Sequence, residues 1–309
     1  MLSRRFVKLT LNNVRYSSRQ TNFQYCIDLV KNNDYDSYLT TLLTPQQVLR
    51  PAFTLKAFSM EITNVGKSAI DSRVGEAKLV YWKDQIDKVF ASVKKNEQTS
   101  FNDPISQEIY LMAKFFNLSK ARFSRFIDAK KNFLSIQQFK SFDELESFAD
   151  YANLNYILFN CLGINNVDCD HAANHIGKAQ FLCFVTKNIL KMPTQMVYYL
   201  PRDLLLKHKI SQQDLFNFSE RILRPKRQNF KDLAFDMCSR ANDHIRSARS
   251  LSNKIPGNAK PILATSVNCD IFLSKMQKYD FDLMDPKLNS NFRTLFLIKL
   301  ILAKLKNNY

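Results

Sequence analysis

Along most of this chain apolar residues recur at intervals of three and four, the spacing that lines one face of an α-helix. Asp34 is placed to cap a helix over residues 35–43, in which Tyr38, Leu39, Leu42 and Leu43 share a face. Pro45 ends or restarts it, and Val48, Leu49, Phe53, Leu55, Phe58 and Met60 carry the apolar run onward. A polar link at 92–102 precedes two more helices, 104–116 and 118–134. The second has Phe123, Phe126, Ile127 and Leu134 as its buried stripe and Arg122, Arg125, Lys130 and Lys131 as a solvated basic face. Ser141 with Glu144 three residues on forms a capping box. It predicts one helix from there to Leu162, apolar over so wide a face that it should be central, with Gly163 as its stop. Residues 177–190 predict a buried helix with a short exit to Pro201. Residues 203–208, 211–222 and 230–251 continue the pattern, the last with Leu233, Met237, Ala241, Ile245 and Ala248 as its stripe. After a Pro/Gly break at 252–261 the chain closes with a helix over 292–305. Its apolar run at 295–302 is interrupted by Lys299 and too short to span a bilayer. A core helix is the expectation there, and a helix lying on a membrane surface is the alternative.

Composition agrees with an all-α fold: only 5 glycines punctuate 309 residues, and 45% of the chain is hydrophobic, enough for a sizeable core. The formal net charge of +17 suits nucleic acid, an anionic membrane face or a phosphorylated ligand, or is a solvated basic surface. Without an RNP motif or aromatic–basic interleaving, nucleic acid is the weaker partner. Cys26, Cys161, Cys169, Cys183, Cys238 and Cys269 form no C-x-x-C pair and read as small core residues in a reducing compartment.

Residues 1–20 hold Arg4, Arg5, Lys8, Arg15 and Arg19 and no acid, the make-up of a mitochondrial presequence. Residues 21–309 are then expected to be a single domain. His171 and His175 are one helical turn apart, but no glutamate follows the first and no third ligand is evident. They read as core or cavity-facing residues, and no metal or other cofactor is expected. Asp232 and Asp236, spaced D-x-x-x-D, read as solvated or capping charge, and Asp84 and Asp87 as a solvated helix face.

Tyr38, Leu39, Leu42, Leu43, Pro45, Arg50, Ala57, Phe58 and Glu61 form the first of several blocks, in order, that resemble the squalene/phytoene synthase family, and are similar to its opening. Gly75, Leu79, Trp82 and Asp84 match an extended segment that leads into a helix. Gly177, Ala179, Tyr199, Leu200 and Pro201 frame its second metal-binding helix, with Gln180 one residue earlier than the family's glutamine. The resemblance implies an isoprenoid-synthase helical bundle around a central cavity. In active members two aspartate-rich motifs hold Mg²⁺ against a diphosphate. Here the first motif's place reads Thr63, Asn64, Val65, Gly66, Lys67, and an ungapped count back from Tyr199 puts Asn188 and Met192 in the second's. The resemblance thus implies a scaffold without its catalytic carboxylates. It is most similar to the branch formed by mitochondrial complex I assembly factors, which shares the 170–180 block and the tail. That branch implies complex I subunits or other assembly factors as partners, in the matrix, peripheral to the inner membrane. Arg50, Glu61, Lys67, Trp82, His175, Gln180, Lys187 and Tyr199 are the expected contacts to a cavity or to an anionic prenyl or lipid ligand. The alternative is a prenyltransferase, or a protein that binds prenyl or lipid diphosphates in that cavity.

Overall fold

The computed structural model describes residues 21–68, 72–135, 138–151, 154–216, 225–289, 293–305 and 309. The expected presequence, residues 1–20, lies outside them. The described residues form helices and no strand: α1 Asn22–Asn33, α2 Tyr35–Thr41, α3 Leu49–Ser68, α4 Ser72–Lys94, α5 Pro104–Phe116, α6 Ala121–Ser135, α7 Phe142–Tyr151, α8 Asn155–Cys161, α9 Val167–Asn188, α10 Pro193–Met196, α11 Arg202–Lys207, α12 Gln212–Phe216, α13 Arg227–Ser250, α14 Lys260–Leu263, α15 Ser266–Lys278 and α16 Arg293–Leu305. They fall into two compact units, Met1–Lys130 with Leu154–Asn165, and Lys131–Asn153 with Asn166–Tyr309.

In unit 1, side chains close two helix starts, and the sequence predicts the first of them, Asp34. Asp34 accepts from Ser37 N at 3.0 Å, and Asp103 accepts from Ser106 N at 2.6 Å, with Pro104 at the first helical position. α3 and α4 bury their stripes, and Phe58 is the hub. Trp82, Phe123 and Phe126 surround it with ring centroids 5.5, 5.7 and 5.8 Å away. Two details depart from expectation. The segment around Gly75 is helical from Ser72 onward, not an extended lead-in. Lys130 is buried, because it stands at i+4 from Phe126 and i+3 from Ile127 and so lies on the apolar stripe of α6.

The helix predicted from Ser141 to Leu162 is two helices. α7 belongs to unit 2 and α8 to unit 1, so the wide apolar face is the sum of two narrower ones serving different cores. Gly163, at φ +69°, does end α8.

Unit 2 is built on α9 and α13, the most extensive helix pair among those described. Asn166 caps α9, accepting from Asp168 N and Cys169 N at 2.8 and 3.2 Å. Ala172, Ala173 and Ala179 are fully buried on α9, as are Ala234 and Ala241 on α13; small side chains let the two backbones approach. The exit to Pro201 is pinned from outside: Gln138 Nε2 donates to Leu200 O at 3.0 Å, and Arg202 N donates to Phe139 O at 2.9 Å. Asp236 is not the solvated charge expected. It accepts from Lys207 Nζ at 2.6 Å and meets His208 Nε2 at 2.7 Å. All six cysteines are free and buried.

Candidate functional site

In unit 1 the first motif's place falls on the last turns of α3. Thr63 is exposed and its hydroxyl donates to Ser59 O; Asn64 is half-buried. The side chain of Lys67 lies outside the described ones. Glu61, half-buried, is the carboxylate of this stretch. Burial raises its pKa, the Asp103 carboxylate raises it further, and Lys78 opposes them. Asp103 also lines a pocket of about 570 Å³ with Tyr81, Gln85, Lys88 and Ser92. Arg50 is engaged elsewhere in the same unit: its Nε and Nη2 donate to both oxygens of buried Glu108, at 2.6 and 2.8 Å. Trp82, 5% exposed, is spent on core packing around Phe58.

In unit 2 the second motif's place is the C-terminal end of α9. Asn188 turns its amide back to its own helix, Nδ2 donating to Phe184 O at 2.7 Å. Met192 packs on the core. Lys187 and Lys191 are exposed one turn apart. Partial burial and the charge of Lys187 lower the pKa of Lys191, an arrangement that favours an anion nearby. Tyr199 stacks on Phe133 at 4.4 Å and meets Phe181 edge-on at 5.7 Å, and burial pushes its phenol up. Gln180 Nε2 donates to Thr265 O at 3.2 Å. Beside it, Thr265 Oγ1, Ser266 Oγ and Asn268 Oδ1 are buried with no hydrogen-bond partner among the described residues.

His175 opens a chain of polar groups that runs across α9, α13 and α7. Its Nδ1 stands 2.9 Å from Nδ1 of His244, so one ring donates and the other accepts. His244 Nε2 is 3.1 Å from Glu146 Oε1, and Arg240 holds both oxygens of Glu146. Burial alone would raise the Glu146 carboxyl, but His244 and Arg240 outweigh it and hold the group at about 2. Burial lowers His175, and the charge of His244 lowers it further. His171, expected in the interior beside His175, is exposed.

The structure places Gln180, His175 and Tyr199 on unit 2, each against different partners, and sets Glu61 near Asp103 on unit 1. Sequence reasoning missed Asp103, Glu146, Arg240, His244 and the polar side chains of Thr265, Ser266 and Asn268. The signal was there for two of them. Glu146 sits at i+4 from Phe142 and i+1 from Leu145 on the apolar side of α7, and His244 at i+3 from Ala241 and i−4 from Ala248 on that of α13. A charged or titratable residue inside an apolar stripe asks for a buried partner.

A helical architecture of this kind is the isoprenoid-synthase fold. It is shared with the squalene synthase HpnC from Alicyclobacillus acidocaldarius (TM-score 0.69, 15% identity, 84% of this chain and 95% of that one). A dehydrosqualene synthase solved with a ligand is also similar (TM-score 0.72, 16% identity, 92% and 96%). Residues 30–294 match the squalene/phytoene synthase profile, and the chain belongs to that family. Over 287 residues it is 30% identical to a Rattus norvegicus protein named NADH dehydrogenase (ubiquinone) complex I, assembly factor 6, covering 92% of this chain and 82% of the relative.

Proposed function

We propose that this protein serves the assembly of respiratory complex I in the mitochondrial matrix, as a non-catalytic member of its family. Residues 1–20 act as its presequence and the remainder as one functional domain. The observation that carries the non-catalytic reading is at the end of α9: Asn188 is bonded back to Phe184 O and Met192 is packed on the core. Mg²⁺ is a hard ion that takes carboxylate and phosphate oxygens, and neither side chain supplies one. The assembly role is supported by similarity along nearly the whole chain to relatives that bear that name. Its partners are then complex I subunits or other assembly factors.

Depleting the protein from its own cells and quantifying respiratory complexes on native gels tests the role. Selective loss of complex I, restored by the wild-type chain, is the expected result; intact complex I would end the proposal.

The exposed Lys187 and Lys191 favour a second reading, in which the fold binds a prenyl or lipid diphosphate. Purified protein incubated with prenyl diphosphates and Mg²⁺ is expected to bind without condensing them. A condensed product would make it a prenyltransferase instead.

A further inference from the structure

The C-terminal helix α16 is apolar on two faces, and its packing in unit 2 uses one. Phe296 and Leu300, one turn apart, are 6% and 3% exposed, and α16 packs on α15. Leu297, Ile298, Ile301 and Leu302 are 43%, 49%, 57% and 46% exposed. At about 100° per residue these four positions share a single arc of about 140°. Single exposed leucines are ordinary. Four large aliphatic side chains side by side on one helix mark a contact surface.

Along the segment that carries the stripe, charge has one sign. Residues 286–309 contain Lys287, Arg293, Lys299, Lys304 and Lys306 and no aspartate or glutamate. On the helix, the positions of Arg293 and Lys304 border the stripe on one side and that of Lys299 on the other. An apolar strip between cationic borders is satisfied by a surface that takes aliphatic groups into its interior and offers anions beside it. The interfacial zone of an anionic bilayer does both. A second copy of the chain would cover the apolar strip but bring like charges together. Among the described residues no helix is long and apolar enough to cross a membrane. With 13 residues α16 is about 20 Å long and would lie in the plane of the surface.

We infer that α16 is a membrane-docking helix, which lays Leu297, Ile298, Ile301 and Leu302 into the interface of an anionic lipid bilayer. Of the two readings the sequence leaves for this helix, core and membrane surface, the inference takes both: Phe296 and Leu300 serve the core and the exposed stripe serves the lipid. It goes beyond the assembly role and does not depend on it.

The test uses the full-length chain carrying Ile301→Trp. Trp82 is the natural tryptophan, and at 5% exposure it provides a constant background. On vesicles of phosphatidylcholine with phosphatidylglycerol, emission from position 301 is expected to shift to the blue and to be quenched by brominated acyl chains. Partition onto pure phosphatidylcholine should be about tenfold weaker or less. Adding Ile298→Asp and Leu302→Asp should weaken partition about tenfold or more and leave the far-ultraviolet circular dichroism unchanged, because both sites already face solvent. The basic residues 1–20 could carry the chain to anionic vesicles but would not place position 301 among acyl chains. Three results would each overturn the inference: vesicle binding without quenching at 301, equal binding to neutral and anionic vesicles, and a dimer in sedimentation that the aspartate variant dissociates. Complex I rescue reports on the assembly role alone, so the two proposals fail separately.

Discussion

Unit 1 buries Glu108 beneath Arg50, and unit 2 buries Glu146 beneath Arg240 and His244. The first arrangement is closed: one guanidinium meets both oxygens of a carboxylate that is 2% exposed, and its outer face lies 5.2 Å from the ring of Phe23. The second is open-ended. Glu146 is satisfied by Arg240, but the ring of His244 also lies against it and passes on to His175, so the charge on α7 is connected to a histidine on α9. Arginine keeps its proton throughout the working range, whereas histidine changes state near neutrality. One fold thus contains a charge pair that only fixes geometry and another that leads on to His175, a ring whose pKa the fold lowers.

The sharpest way to break that comparison is Arg50→Met. It leaves Glu108 charged, buried and alone, a situation that costs about 3–5 kcal/mol. Trp82 sits in unit 1, so its fluorescence follows that unit during denaturant unfolding, while circular dichroism follows the whole chain. The Trp82 transition should move to markedly lower denaturant. Adding Glu108→Leu should recover most of the loss, since a buried ion pair can be replaced by apolar packing at little net cost. If the double variant is as unstable as the single, Glu108 has a role beyond pairing with Arg50. In unit 2, Glu146→Gln should cost less, about 1–3 kcal/mol, because the amide oxygen still accepts from Arg240 Nε, while the charge and the second bond from Arg240 are lost. Its mark should be on circular dichroism more than on Trp82. Equal displacement of both probes would mean that the two units unfold together.

Much of this was legible before any coordinates. The helix expected over 104–116 forms over those residues, with Pro104 at its first position, and Asp34 caps α2 as expected. What was lost follows from reading charge by composition rather than by position. Lys130 was read as one of a basic set, but its register puts it on the stripe of α6. Asp236 reads as solvated or capping charge because its partners, Lys207 and His208, stand 29 and 28 residues away, which local spacing cannot supply. The 141–162 segment was read as one helix because periodicity reports that a face is apolar, not which core it faces. The family resemblance located Asn188 and Met192, but only the structure shows Asn188 bonded back to its own helix. The chain from Glu146 to His175 is invisible to both approaches, since no motif and no short spacing links residues on α7, α13 and α9.

The smallest expected effect at neutral pH, and the most specific, belongs to His175. Its pKa is lowered from 6.5 by burial first, then by the charges of His244, Lys178 and His171, with Glu146 opposing them. In the unfolded chain the ring takes its proton as pH falls through 6.5; in the fold it resists until a lower pH. Between those two values the unfolded state binds more protons, so stability is full above 6.5 and declines as pH falls. Glu146, held at about 2, adds a separate loss that begins only below its ordinary 4.5. The two windows do not coincide, and His175→Asn distinguishes them. At pH 7.5 it should cost no more than about 1 kcal/mol, because an amide can still exchange one hydrogen bond with His244. Below pH 6.5 the variant should hold its melting temperature where the wild type begins to lose it, and the loss beginning near 4.5 should persist. Should the variant keep the wild-type slope between pH 6.5 and 5, the titration at the α9–α13 contact belongs to another group, and the contrast between a fixed pair in unit 1 and a titratable chain in unit 2 would fail.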